Sequence, residues 1–406
     1  MSYEPKYTNW SESDYLNSDL RYCEPMTAHA LEDESEQFML LHNSNYIIEE
    51  KFDGTRGILH FLKGGCRVFS RRISKKTNWF TENTDSLPQM RSIDIPELYG
   101  TVIDGEMFIP DRPFKDVSST LNCNWDKAIE RQKELGDIVL HTFDILYYRG
   151  IRVERLSLKR RKNFLSKVMS VLKRYGITCI VEVPYYSCVE GIPIDNRTVT
   201  SGGYYTHIVE NGGEGVILKD INAPYEHKRS KGFLKIKKFY TRECILLGFT
   251  EPTKYYDGKF PDDRWDYWET PDEEKKLIPS ESAKSLIKKG YKPLTKFYFN
   301  NWVGNMKFGV IITPQEINKL PKGKSFDFDY MNIGGEQKAI LNVGECSGFD
   351  DELRAKLSHH DNIGRVIEVK CNEIFKDTGK LRHPRFLRFR DDKDPEECTY
   401  ANHITE

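Results

Sequence analysis

Short apolar runs, each cut by glycine or polar residues, recur through the first part of the chain. Tyr46-Ile47-Ile48, Gly57-Ile58-Leu59, Val68-Phe69 and Thr101-Val102-Ile103 are of this kind. Strands of that length between turn residues predict a largely antiparallel sheet over 46–110. The pattern changes at 156–175, where Leu165, Val168, Leu172 and Tyr175 recur at helical spacing. Lys159, Arg160, Lys162, Lys167 and Lys173 fall mostly outside that stripe, which predicts an amphipathic helix with a basic outer side. Strand-like runs resume at 179–186, 215–219 and 233–237.

Composition shifts after Arg242. Strand-like runs at 244–247, 308–312, 339–343 and 366–369 dominate from there, and about five strands with loops between them suit a small closed barrel of the OB type. Between the first two lies a long acidic stretch, 257–301, with Trp265, Trp268 and a helix-like run at 280–289. A connection that long carries structure or function of its own. Its two tryptophans are either the core of the insertion or nucleic-acid contacts.

The 406 residues leave room for two domains, and 38% hydrophobic with 30% charged residues describes a globular chain. Apolar runs such as Gly309-Val310-Ile311-Ile312 are too short to span a bilayer, and the polar N-terminus carries no export signal. No membrane partner is expected. Nine scattered cysteines without a Cys-x-x-Cys pair argue against a zinc knuckle and for a reducing compartment. No histidine, His141 included, has metal-ligand spacing. A net charge of −1 does not advertise a polyanion, but the charges are segregated. Basic clusters at 71–76, 159–162, 235–242 and 380–393 stand apart from acidic ones at 32–36 and 262–274. Such segregation can build a basic face on a neutral protein.

The candidate chemistry centres on residues 51–57, KFDGTRG. Lys51 supplies an amine, Gly54 permits close backbone approach and Arg56 supplies a fixed cation, the parts needed for nucleophilic attack on a phosphate. An amine doing this must be deprotonated, and Lys235, Lys237 and Arg56 nearby would favour the neutral form. In Leu234-Lys235-Ile236-Lys237 the two lysines fall on one side of a strand and Ile236 on the other. Four further segments follow Lys51 in order: Val102-Ile103-Asp104-Gly105-Glu106, His141-Thr142-Phe143-Asp144, Glu214-Gly215-Val216-Ile217-Leu218-Lys219, and Arg388-Phe389-Arg390-Asp391-Asp392-Lys393.

This ordered set resembles the covalent nucleotidyltransferases, the ATP-dependent polynucleotide ligases and mRNA capping guanylyltransferases. The end of the chain decides between branches. Ile363-Gly364-Arg365-Val366-Ile367-Glu368-Val369, Leu381-Arg382-His383-Pro384-Arg385-Phe386 and Gly344-Glu345-Cys346-Ser347-Gly348-Phe349 resemble the OB domain of ATP-dependent DNA ligases. The resemblance implies an α+β architecture. An adenylation domain of antiparallel sheets flanked by helices would occupy 1–242, an OB-fold barrel with an insertion at about 257–301 would occupy 243–395, and 396–406 would be a tail. The separate N-terminal DNA-binding domain of larger ligases is expected to be missing. Small viral ligases carry an extension at a similar place, so the insertion is expected to latch across DNA through Lys284, Lys288, Lys289, Lys292 and Lys296.

The resemblance also assigns roles. Lys51 would be the adenylated nucleophile and Glu49 would touch the adenine amino group, with Phe143 on one face of the base and Ile217 on the other. Glu106 would bind the ribose or a metal-bound water, and Glu214 would be the carboxylate nearest Mg²⁺ or Mn²⁺. Lys235 and Lys237 would hold the α-phosphate, and Arg71 the 5′-phosphate at a nick. Arg390, Asp392 and Lys393 would orient the departing pyrophosphate, which requires domain closure and later release. ATP would be the nucleotide donor and nicked duplex DNA the partner of a monomeric enzyme in cytoplasm or nucleoid, serving repair, replication and recombination. A capping guanylyltransferase or an RNA ligase would use the same lysine chemistry and stands as the alternative.

Overall fold

The computed structural model describes residues 4–405 except 8, 22, 280 and 359–361. The chain divides into two compact units after Lys238. The division expected at 242 would fall inside the strand Tyr240–Phe249, which opens the second unit.

The first unit holds two large sheets and a two-stranded hairpin, Ile192–Ile194 with Arg197–Val199. One has the strand order Thr27–Ala30, Arg229–Lys237, Gly215–Asp220, Tyr46–Glu50, Tyr185–Ser187. The other runs Phe80–Glu82, Gly65–Ile73, Thr55–Leu62, Val102–Phe108, Val139–Tyr148, Ile151–Arg152, with Ile180–Glu182 beside Val139–Tyr148. Pairing is antiparallel except for Thr27–Ala30 against Arg229–Lys237 and Ile180–Glu182 against Val139–Tyr148. The run at 179–186, expected as one strand, is thus two, one in each sheet. Val183 donates its N–H to Thr142 in one sheet and Cys188 to Tyr46 in the other, and Pro184 breaks the ladder between them.

The expected helix is Leu158–Arg174. Leu165, Val168 and Leu172 are buried against Ile103, Leu140 and Ile145, but Tyr175 lies past the helix end and is exposed. The outer side is not uniformly basic. Arg161 and Lys162, at i+3 and i+4 from Leu158, share the inward face and are buried. Arg161 meets Asp144 in a fork, Nε–Oδ1 2.7 Å and Nη2–Oδ2 3.0 Å, and donates from Nη1 to the carbonyls of Leu156 and Ala223. Burial alone would raise the Asp144 carboxyl, yet Arg161 holds it below its usual range. Breaking such a pair strands a buried charge. Arg161→Met is expected to cost the first unit about 3–5 kcal/mol in urea denaturation. A loss below about 1 kcal/mol would mean the pair contributes little.

The second unit is a six-stranded sheet ordered Phe328–Ile333, Glu336–Cys346, Met306–Ile311, Tyr240–Phe249, Val366–Cys371, Arg385–Phe389. A parallel bridge between Ser347 and Arg385 curls it toward closure, around a core that includes Leu246, Phe308, Val343, Ile367 and Val369. Two strands beyond the expected runs complete it. Phe328–Ile333 is half exposed, with Asp329 and Asn332 breaking its apolar run, and Arg385–Phe389 sets Phe386, Leu387 and Phe389 around two arginines. The expected tail is structured as far as it is described. Tyr400–Ile404 is a helix, Tyr400 joins the core, and Arg242 donates to the carbonyls of His403 and Thr405.

The insertion folds as a module. Thr250 and Asn305 meet at its base, Thr250 N–H donating to Asn305 O at 2.8 Å. Three short strands, Tyr267–Glu269, Lys275–Leu277 and Lys292–Pro293, enclose it with the helix Ala283–Lys288. The first residue of the expected helix-like run, 280, lies outside the described residues. Trp268 is fully buried against Ala283 and Leu286, while Trp265 stacks on Tyr256 at 3.9 Å and donates from Nε1 to Leu294 O. Both tryptophans are core. Among the described residues no helix is long and apolar enough to cross a membrane.

Candidate active site

Lys51 directly follows the strand Tyr46–Glu50, and its N–H donates to Gly215 O at 2.9 Å, extending the ladder by one residue. That bond sets Lys51 beside Glu214. Gly215 has φ +135°, and a Cβ there would lie 2.1 Å from Ile236 O, so only glycine fits. Register then aligns the candidates. Glu49 pairs with Ile217 and Ile217 with Lys235, a row of cross-strand neighbours on one face of the sheet. Two residues along each strand put Lys51, Lys219 and Lys237 on that face too, while Ile236 is buried on the other.

The second sheet supplies the opposite wall. Arg56 pairs with Glu106 across Thr55–Leu62 and Val102–Phe108. Phe143 is the extra residue where the register slips, Thr142 facing Gly105 and Asp144 facing Asp104. A bulge of this kind re-aims a side chain. A cavity of about 760 Å³ lies between the walls. Glu49, Lys51, Ile217, Lys235 and Lys237 line it from one sheet, and Arg56, Arg71, Glu106 and Phe143 from the other. Ordinary ligand sites span about 300–1,000 Å³.

The cavity differs from expectation in three ways. The charged partner of the Lys51 amine is Glu214, whose other oxygen takes Lys237. Arg56 does not face that amine: Asp104 holds it in a fork, both contacts at 2.5 Å, over the Phe143 ring at 4.7 Å. A buried carboxylate attracts the guanidinium more strongly than a neighbouring ammonium would permit. At Gly54, an added Cβ would lie 2.4 Å from Met107 O, so the glycine lets the Lys51 loop press against the next sheet. Glu106 is lifted to about 7 by burial, against the pull of Arg56 and Lys51. Burial, Lys237 and Lys51 push Lys235 down.

Glu49 is buried between two lysines, Lys162 Nζ 2.7 Å from Oε1 and Lys219 Nζ 2.5 Å from Oε2. Both contacts are ion pairs. An adenine amino group would be a third partner of that carboxylate. Lys219 also lies 4.1 Å from the Phe143 ring centroid and lines the cavity; burial pushes it down to about 8. Lys219 has no role in the sequence pattern, although its position two residues past Ile217 places it on the same face. Asn83 also lines the cavity, with a buried Nδ2 that has no hydrogen-bond partner among the described residues. Nothing in the sequence pointed to it.

In the second unit, Arg390 forks onto Asp392 at 2.9 and 2.8 Å and pairs with Glu243, while Lys393 pairs with Glu397 at 2.9 Å. The three candidates there form one charge cluster following the strand Arg385–Phe389, half-buried at Arg390 and Lys393 and exposed at Asp392. Of the five insertion lysines expected to touch DNA, Lys289, Lys292 and Lys296 are ion-paired with Glu281, Glu269 and Asp351.

No group of three metal-ligating side chains occurs among the described residues. Mg²⁺ is commonly held by one or two carboxylates together with substrate phosphates. Glu214 and Glu106, hard oxygen donors beside the cations of one cavity, fit that mode.

The family model of the ATP-dependent DNA ligase domain matches residues 25–237. The chain is 27% identical over 246 residues to the SPbeta prophage-derived DNA ligase-like protein LigB of Bacillus subtilis, covering 59% of this chain and 77% of that protein. It is also 27% identical over 384 residues to DNA ligase 2 of Methanosarcina acetivorans, covering 88% of this chain but about half, 54%, of that protein. A solved structure of the Lig E DNA ligases, 17% identical, shares the fold with a TM-score of 0.50 and covers 90% of this chain and 98% of its own. With the family model spanning more than half of its length, the chain belongs to the ATP-dependent DNA ligase family.

Proposed function

We propose that the chain seals nicks in duplex DNA by carrying AMP on Lys51. The observation that supports this most is the placement of the Lys51 amine against Glu214, within reach of Lys235 and Lys237, in a cavity large enough for a nucleotide. The neutral amine attacks the α-phosphorus of ATP. A nitrogen–phosphorus bond forms, the bond to pyrophosphate breaks, and the ammonium proton passes to solvent. An oxygen of a 5′-phosphate then displaces Lys51 from the AMP, and the strand's 3′-hydroxyl displaces AMP to close the phosphodiester.

Each step is an in-line displacement at phosphorus, so positioning and charge neutralisation supply most of the catalysis. Lys235 and Lys237 hold the α-phosphate, Arg71 the 5′-phosphate, and Phe143 with Ile217 the two faces of the base. Glu49 takes the adenine amino group. Glu214 and Glu106 would hold the Mg²⁺ that accompanies ATP; bound there, it offsets phosphate charge. Arg390, Asp392 and Lys393 act from the second unit on pyrophosphate. We take the enzyme to be a monomer working on nicked duplex DNA. The family match favours this reading over a capping guanylyltransferase or an RNA ligase. Incubation with Mg²⁺ and either ATP or GTP, followed by peptide mass spectrometry, tests it. AMP on Lys51 is expected, and GMP there, or AMP on another residue, would sink the reading.

The insertion is proposed to grip DNA, with Lys284 and Lys288 as its contacts. Replacing residues 254–301 by a short Gly-Ser linker is feasible because Thr250 and Asn305 already meet. The change is expected to weaken binding to a nicked duplex about tenfold at moderate salt, while AMP transfer to Lys51 persists. Equal affinity in a filter-binding titration dismisses the latch.

A further inference from the structure

Residues 221–228 connect the strands Gly215–Asp220 and Arg229–Lys237, and no function has so far fallen on them. Their backbone is tied down at several points. Arg161 donates to Ala223 O at 2.9 Å, and Tyr225 N–H donates to Glu154 O at 2.8 Å. The Tyr225 side chain is buried. Its hydroxyl accepts the Met26 N–H at 2.8 Å, which leaves its own proton for Asp104 Oδ2 at 2.6 Å.

The same Asp104 oxygen accepts from Arg56 Nη2, and that nitrogen also donates to Met26 O at 2.9 Å. The Met26 peptide, the Tyr225 hydroxyl, the Asp104 carboxylate and the Arg56 guanidinium therefore close a ring of hydrogen bonds. Its members come from distant parts of the chain, and two of them, Met26 and Arg56, form cavity wall. A carboxylate gripping a guanidinium can still swing about its last torsion, which is broad and shallow. A third bond, from a donor whose own position is fixed, removes that freedom. The plane of Arg56 over the Phe143 ring then follows from where the tyrosine stands.

We propose that Tyr225 is a positioning residue of the nucleotide site, acting through Asp104 to set the Arg56 guanidinium against Phe143. This rests on the reading of Arg56 as part of the ATP site. Tyr225 itself does not line the cavity. Losing its hydroxyl therefore weakens a contact made alike in the bound and reacting states, which raises KM and spares kcat.

The test is a double-mutant cycle on self-adenylation with Mg²⁺ and ATP, using Y225F, R56A and Y225F/R56A, each also followed in urea. Y225F alone is expected to raise the KM for ATP about fivefold, the worth of one hydrogen bond, with kcat within about twofold. In the R56A background the same change is expected to leave KM where it is. An equal rise in both backgrounds, or a shift of the urea midpoint with KM untouched, would make Tyr225 merely structural and overturn the proposal alone. If R56A leaves the KM for ATP unchanged, the reading of Arg56 falls and the proposal falls with it. Should Y225F not fold, D104N takes its place and probes the same link from the acceptor side, with the same expected coupling to Arg56.

Discussion

Lys51→Ala is expected to abolish transfer of AMP from α-labelled ATP to the protein. No neighbouring amine can substitute. Lys237 shares Glu214 with Lys51, but it sits on a different strand, and an in-line attack needs the reacting atoms about 3–3.5 Å apart in line. The same variant is expected to retain measurable closure of a nick that already carries AMP on its 5′-phosphate, because the final displacement uses the 3′-hydroxyl and no lysine. Gel assays on plain and pre-adenylated nicks separate the two steps. Labelling of the variant at more than about one hundredth of the natural rate would show that another group carries the nucleotide.

Glu214→Ala is expected to slow AMP transfer about 10²–10³-fold, the usual cost of removing one preorganised charge from a reacting centre. Glu214 does two things at once here: it spaces Lys51 from Lys237, and it presents oxygens where a metal-bearing nucleotide would arrive. Without it the two ammonium groups repel one another, and the α-phosphate loses its fixed counter-charge arrangement. Glu214→Asp is expected to recover only part of the rate, because a chain one methylene shorter cannot reach both lysines. The two unpaired ammonium groups are also expected to cost about 1 kcal/mol of stability, too little to unfold the chain. Single-turnover labelling read against a urea titration distinguishes this from unfolding. A rate within tenfold of the natural chain would remove Glu214 from the machinery.

Much of this was readable in the residues, and the failures have physical causes. Half-buried antiparallel strands advertise themselves by short apolar runs, so the sheets around 46–110 were legible, and so was the helix Leu158–Arg174. Its inward Arg161 and Lys162 were not. Their spacing from Leu158 puts them on the apolar stripe, but a charge reads as core only when its partner is known, and Asp144 and Glu49 lie far along the chain. Lys51, Glu106, Lys235 and Lys237 were legible because motif order and strand alternation both mark them. Arg56 was found but given the wrong neighbour, since Asp104 faces it only after two strands pair. The bulge that turns Phe143 toward the cavity depends on a register slip that no single strand reveals. Trp265 and Trp268 could be settled only by seeing what packs on them.

Residues 180–187 stitch the two walls of the nucleotide cleft together, with only Val183 and Pro184 between the ladder on one side and the ladder on the other. A cleft hinged by a long loop could gape to admit a ligand; here a two-residue tether bastes one wall to the other along that seam. A nucleotide bound between them would meet a shape largely set before it arrives.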